Sequence, residues 1–188
     1  GPHMDEKGNI DKEWLDRIEE VVNYILDEGM YCIINSHHDC GHAGWLAADA
    51  ASYPETSARF KKVWSQIAER FKDYGDLLIF EAYNEILDKD NNWGGSSSAN
   101  IDAANKLNQD FVNVVRASGG NNALRHLCVN TYACTSSSDS ALSGFKLPKD
   151  TVKDRLFVQI HCYDPQRFCW TPDYIPDPTD QWVANREE

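Results

Sequence analysis

The chain has 188 residues and a formal net charge of −12, with a pI near 4.8. That balance argues against nucleic acid or an anionic membrane as partner, since both call for a basic face, and no apolar run approaches the roughly 20 residues of a membrane span. An apolar share of 41%, with 11% aromatic residues, suffices for one buried core, and a neutral substrate is compatible with the acidity.

The opening Gly1-Pro2-His3-Met4 reads as a cloning remnant, which leaves residues 5–188 as a single domain. No signal-peptide pattern is present, so the location is not directly legible. Asp11 stands at the cap position of a helix whose apolar residues Trp14, Leu15, Ile18, Val21, Val22, Ile25 and Leu26 recur at three- and four-residue spacing. Gly29 ends it, and Tyr31 to Asn35 reads as a buried strand. Phe60, Val63, Trp64, Ile67 and Phe71 predict a second amphipathic helix, closed near Gly75, and Leu77 to Tyr83 the next strand. Ile101, Ala104, Leu107, Phe111, Val114 and Val115 give a third helical stripe, stopped by Gly119-Gly120. Strands follow at Leu127 to Tyr132 and Leu156 to His161. Between them, Thr135 to Asp154 holds at most a short helix, and the Pro-containing tail from Thr171 reads as loop, with a helix starting near Gln181.

Helices alternating with near-continuous apolar strands mean an α/β fold with a parallel sheet covered by helices. No glycine-rich phosphate loop follows any strand, which argues against a nucleotide-binding doubly wound domain. Polar residues at the ends of several strands fit a (β/α)8 TIM barrel instead, whose chemistry sits at that face. Such a barrel takes about 250 residues, so four strands amount to roughly half of one.

Three strands finish in chemistry-bearing residues. Glu85, after Asn84, is the sharpest candidate for a general acid, provided burial lets it hold a proton. Strand parity places Leu77, Ile79, Glu81, Tyr83 and Glu85 on one face, with Glu81 deeper and suited to holding a neighbouring His or Arg. His37-His38-Asp39 ends another strand, and these histidines suit a sugar contact or the positioning of an acid. A metal set with Cys40 and His42 is the weaker reading, because adjacent strand residues point to opposite faces. No metal or other cofactor is expected. His161 and Tyr163 share a parity and could both face the pocket. Trp45, Trp93, Phe168 and Trp170 fall in loops on the same rim, where rings stack on sugars or merely seal a core. Cys32, Cys128 and Cys162 are assigned to strands. Cys40, Cys134 and Cys169 are assigned to loops after strands, where a disulfide is conceivable.

These stretches resemble glycoside hydrolase family 5, the cellulase-type enzymes, within its endoglucanase and xyloglucanase subfamily. The resemblance rests on Gly29-Met30-Tyr31-Cys32-Ile33-Ile34-Asn35-Ser36-His37-His38-Asp39, on Phe80-Glu81-Ala82-Tyr83-Asn84-Glu85, on Leu107 to Val112 with Val115 to Asn122, and on His161-Cys162-Tyr163-Asp164-Pro165. It implies a (β/α)8 barrel that hydrolyses β-glycosidic bonds with retention. Glu85 would be the general acid/base and Asn84 the holder of the sugar 2-hydroxyl. His37 or His38 would match the histidine after the third strand of the family, and Tyr163, beside His161, would orient the nucleophile. The portion present corresponds to the third to sixth strands, so the strand bearing the nucleophilic glutamate is expected to be absent, and Glu187 and Glu188 are not accepted in its place. A β-glucan polysaccharide or oligosaccharide is the implied partner, and secretion or a periplasmic location the implied setting. The open strand edges predict a homo-oligomer, with two copies completing a barrel. A non-catalytic β-glucan-binding module is the alternative.

Overall fold

The computed structural model describes residues 2–40, 44–164 and 166–170, excepting the side chains of Gln166 and Arg167. His42, the tail from Thr171 and the two terminal glutamates lie outside these residues. In chain order the elements are α1 (Lys12–Asp27), β1 (Cys32–Asn35), α2 (Tyr53–Arg70), β2 (Leu78–Glu81), α3 (Ser98–Ala117), a 3-10 turn (Gly120–Ala123), β3 (Leu127–Thr135), α4 (Asp139–Gly144), β4 (Leu156–His161) and α5 (Gln166–Trp170). The four strands form one sheet in the order β1-β2-β3-β4, and each neighbouring pair is parallel.

The helices and strands expected up to His161 are present, with instructive differences at their ends, and the helix expected near Gln181 lies outside the described residues. Asp11 does precede α1, but its side chain makes no capping bond. The C-terminus closes as a Schellman motif, in which Gly29 N–H donates to Leu26 O at 2.9 Å and Met30 N–H to Ile25 O at 3.3 Å. Gly29 there has φ +70°, which glycine adopts without a Cβ penalty. His3 stacks on Trp14 with ring centroids 3.9 Å apart, and Met4 pairs with Ile10 in an antiparallel bridge. The segment before α1 therefore packs on the domain.

Register divides the sheet into two faces. Phe80, on the helix side, lies 5.5 Å from the Trp64 ring of α2, and Trp64 meets Phe111 of α3 at 4.5 Å. Asn35, Glu81, Cys128 and Phe157 form a row across all four strands on the opposite face, which is the inner face of a barrel. Tyr83 departs from the expected parity. Its hydroxyl donates to Ala104 O of α3, because β2 ends at Glu81 and the chain no longer alternates beyond it. β3 runs longer than expected and includes Cys134, which is buried. Its later part bulges, so that Asn130 to Thr135 opposes Gln159 to His161, with Ala133 and Cys134 both at positive φ. Cys162, conversely, falls just past β4 and is exposed. All six cysteines are free thiols, so the considered disulfide does not form.

Arg125 holds the far end of the sheet together. It is 1% exposed, and its guanidinium donates to Phe71 O, Tyr74 O, Gly75 O, Leu78 O and Asn122 Oδ1 at 2.6–3.0 Å. Those carbonyls lie at the C-cap of α2, in the turn that follows it and at the first residue of β2. Burial pulls the group down to about 10, so it stays charged at neutral pH. Arg125→Met, which removes five hydrogen bonds from buried acceptors, is expected to lower unfolding stability in urea by about 3 kcal/mol. Arg125→Lys should recover only part of that loss.

Candidate active site

Every polar strand end lies at the C-terminal edge of the sheet. β1 and β2 are joined there by Asn84 N–H donating to Ser36 O at 3.1 Å, which sets Asn84-Glu85 beside the turn that carries His37-His38. Glu85 and His161 meet across the sheet, with His161 Nδ1 2.6 Å from Glu85 Oε1 and each side chain about one-fifth exposed. Carboxylate and imidazole are thus half-buried yet open on one side.

Among the described residues Glu81 holds neither a histidine nor an arginine, contrary to the sequence expectation. It is 3% exposed and accepts from Asn130 Nδ2 at 3.1 Å. Asn130 is itself tied to α3, where Asn108 Nδ2 donates to Asn130 O at 2.9 Å. His37 and His38 are exposed and lie past the end of β1, so strand parity does not separate them. Their rings meet edge to face at 4.8 Å. Among the described residues, no group of three or more His, Cys, Asp or Glu side chains is placed to hold a metal ion.

The aromatic residues separate into two sets. Tyr163, Trp93 and Trp170 are 49%, 56% and 65% exposed, and Tyr163 links His161 at 6.3 Å to Trp170 at 5.6 Å in a string of rings. Trp45 is placed otherwise than expected. Its indole N–H donates to Asp39 Oδ1 at 3.0 Å, and the Arg59 guanidinium covers one ring face at 4.5 Å. Trp45 thus braces the turn after β1 rather than standing open on the rim. A cavity of about 680 Å³ lies not over Glu85 but between α1 and the β1 edge, reaching His37, His38 and Asp39 at one end.

The loop bearing Trp93 is organised by Asp88, a residue the sequence reading missed. Its carboxylate accepts from Asn92 N, Asn92 Nδ2, Asp90 N and the Ser96 hydroxyl, and Tyr132 Oη bridges Asp88 N and Asn92 O at 2.9 Å each. The signal was the run Asp88-Lys89-Asp90-Asn91-Asn92, rich in residues that bond their own backbone.

A family model described as cellulase (glycosyl hydrolase family 5) matches residues 1–186. The chain belongs to that family. It is 43% identical over 177 residues to endoglucanase B of Clostridium cellulovorans, covering 93% of this chain and 38% of that protein. It is also 43% identical over 184 residues to the cellulase/esterase CelE of Acetivibrio thermocellus, covering 93% of this chain and 22% of that protein. Among solved structures, the Prevotella bryantii B14 enzyme PbGH5A in complex with a xyloglucan tetradecasaccharide aligns with TM-score 0.83 at 46% identity, covering 87% of this chain and 48% of that one. A broad-specificity endoglucanase from Ruminococcus champanellensis with bound cellotriose gives TM-score 0.86 at 40% identity, covering 98% and 53%. The four parallel strands with their helices are therefore part of the family's TIM barrel, and the chain spans about half of those solved structures and less than half of the two relatives.

Burial alone would raise the Asp88 carboxyl, but the hydrogen bonds from Asn92, Ser96 and the backbone of Asn92 and Asp90 outweigh it and bring it down to about 2. A carboxyl depressed on folding stabilises the folded loop above its unfolded value, and that contribution is lost as pH falls through the folded one. Acidification from about pH 4 to about pH 2 is therefore expected to loosen residues 88–96. The emission of Trp93, taken as the difference from Trp93→Phe, should change across that window. A flat difference signal would contradict this.

Proposed function

We propose that the domain this chain belongs to hydrolyses β-1,4-glucan as an endoglucanase, with Glu85 as general acid/base. The observation that carries this reading is the Asn84-Glu85 pair at the C-terminal end of β2, with Glu85 held by His161 across the sheet. A carboxyl that is only partly solvated and bonded through one oxygen has the other free to give a proton to a glycosidic oxygen. Asn84 stands beside it for the sugar 2-hydroxyl, His37 and His38 flank it, and Tyr163, Trp93 and Trp170 offer exposed ring faces for sugar stacking. Family membership and the glucan-related names of the relatives support the same substrate class.

Retaining hydrolysis needs a second carboxyl about 5 to 5.5 Å away as nucleophile. Glu81 is unsuited to that role, being buried and bonded by Asn130. The family's nucleophilic glutamate on a seventh strand has no counterpart among the described residues, and activity of the chain by itself is expected to be weak or dependent on assembly. An extracellular or periplasmic setting follows from a polymeric substrate. Reducing-sugar release from carboxymethylcellulose, lichenan and xyloglucan should fall by about 10²–10⁴-fold in Glu85→Gln. Activity that survives the substitution would remove Glu85 from the chemistry, whereas glucan binding with no hydrolysis by the unaltered chain would favour a binding module.

We further propose that the chain self-associates through its two open sheet edges. Ile33 near one edge and Phe157, Val158 and Ile160 at the other are 46–53% exposed, and strand edges flanked by apolar surface pair readily. Light scattering is expected to give about twice the 21.3 kDa chain mass; a monomeric profile would end this idea.

A further inference from the structure

His161 has a second neighbour besides Glu85. Its Nε2 lies 2.8 Å from Gln159 Nε2. Gln159 is two residues earlier on β4, so both side chains leave the same face of the strand. The other end of that amide is also engaged, since Gln159 Oε1 accepts from the Cys128 thiol at 3.6 Å. Burial pushes that thiol up to about 12, so it keeps its proton at neutral pH and serves as a donor.

This order of contacts fixes a proton. An amide oxygen only accepts and an amide nitrogen only donates. With the thiol on the oxygen, the NH2 group faces the imidazole, and a ring nitrogen that receives an N–H must itself be unprotonated. The single proton of the neutral ring then sits on Nδ1 and points at Glu85 Oε1. Tyr163 meets the ring edge-on without bonding either nitrogen, and Glu81 is engaged by Asn130. We propose that Gln159 is a positioning residue that fixes His161 in the Nδ1–H tautomer, which holds Glu85 through Oε1 and leaves Oε2 as the oxygen that exchanges a proton with substrate. A doubly protonated ring would instead set a cation against Glu85 and oppose its loading with a proton. The consequence for Glu85 rests on reading it as the acid/base; the tautomer does not.

Multiple-bond 15N–1H spectra of the histidine side chains in the full chain, with His161 identified by His161→Gln, read the tautomer without substrate. At pH 7 the unaltered chain is expected to show Nδ1 protonated and Nε2 bare at His161. Gln159→Met, close in shape, should shift the ring towards the Nε2–H form. Gln159→Glu, which presents an acceptor to Nε2, should give a ring protonated on both nitrogens at the same pH, and decides the matter alone if the Met variant does not fold. An Nε2–H ring in the unaltered chain, or a tautomer unmoved by the substitutions, would overturn the assignment. In hydrolysis, Gln159→Met should lower kcat by about tenfold with KM little changed. An Nδ1–H ring that responds to Gln159, in a protein whose hydrolysis survives Glu85→Gln, supports the Gln159 assignment and removes only the acid/base reading.

Discussion

The buried guanidinium of Arg125 is the constraint on which the rest of the sheet depends. It is charged, nearly inaccessible and, among the described residues, hydrogen-bonded to no carboxylate; its five donors meet four backbone carbonyls and one amide oxygen. A cation at the C-terminal end of α2 is favoured by the helix dipole as well as by those bonds, and the Phe80 ring 4.7 Å beneath it covers its face. Because Arg125 stands two residues before β3 and bonds Leu78 O at the start of β2, it sets the relative placement of both strands from one end. Arg116 extends the network, bonding Asn122 O, Arg125 O and the Asp150 carboxylate at 2.7–2.9 Å.

The Arg125 network and the candidate site therefore occupy opposite ends of the sheet, as barrel folds arrange stability and chemistry. At the Arg125 end the backbone is fixed by bonds with no free capacity. At the other end the strands stop short, and polar side chains that would be costly inside a core can remain half-solvated. The bulge in β3 belongs to that second end. Ala133 N–H donates to Ile86 O at 2.9 Å, which pins the residue after Glu85, and Cys134 packs beneath Asn130. Two consecutive non-glycine residues at positive φ cost energy, and they lie beside the segment that carries Glu85.

Much of this was legible in the sequence because it depends on period and punctuation. The helical stripes, the Gly29 stop and the four apolar strands are local patterns, and the polar residues after them marked the chemical edge. What was not legible depends on where alternation ceases. Parity carried past the end of β2 puts Tyr83 on the inner face, and the same extrapolation past β1 puts His37 and His38 on opposite faces. Trp45 follows a strand end in the sequence and so reads as a rim residue, although its indole N–H and ring face are taken by Asp39 and Arg59. Arg125, Asn130 and Gln159 have no sequence signature at all. Their roles come from carbonyls, amides and thiols brought close only by folding.

The central claim is that the C-terminal edge of the sheet, gathered around Glu85 and His161, is where a glucan sits. Titration of the 15N-labelled chain with cellotetraose, followed by amide shifts, tests it most directly. The account predicts that the perturbed amides cluster at His37 to Asp39, Asn84 to Ile86 and His161 to Tyr163, with the Arg125 end silent. Perturbations confined to the cavity between α1 and β1, or none at saturating sugar, would contradict it.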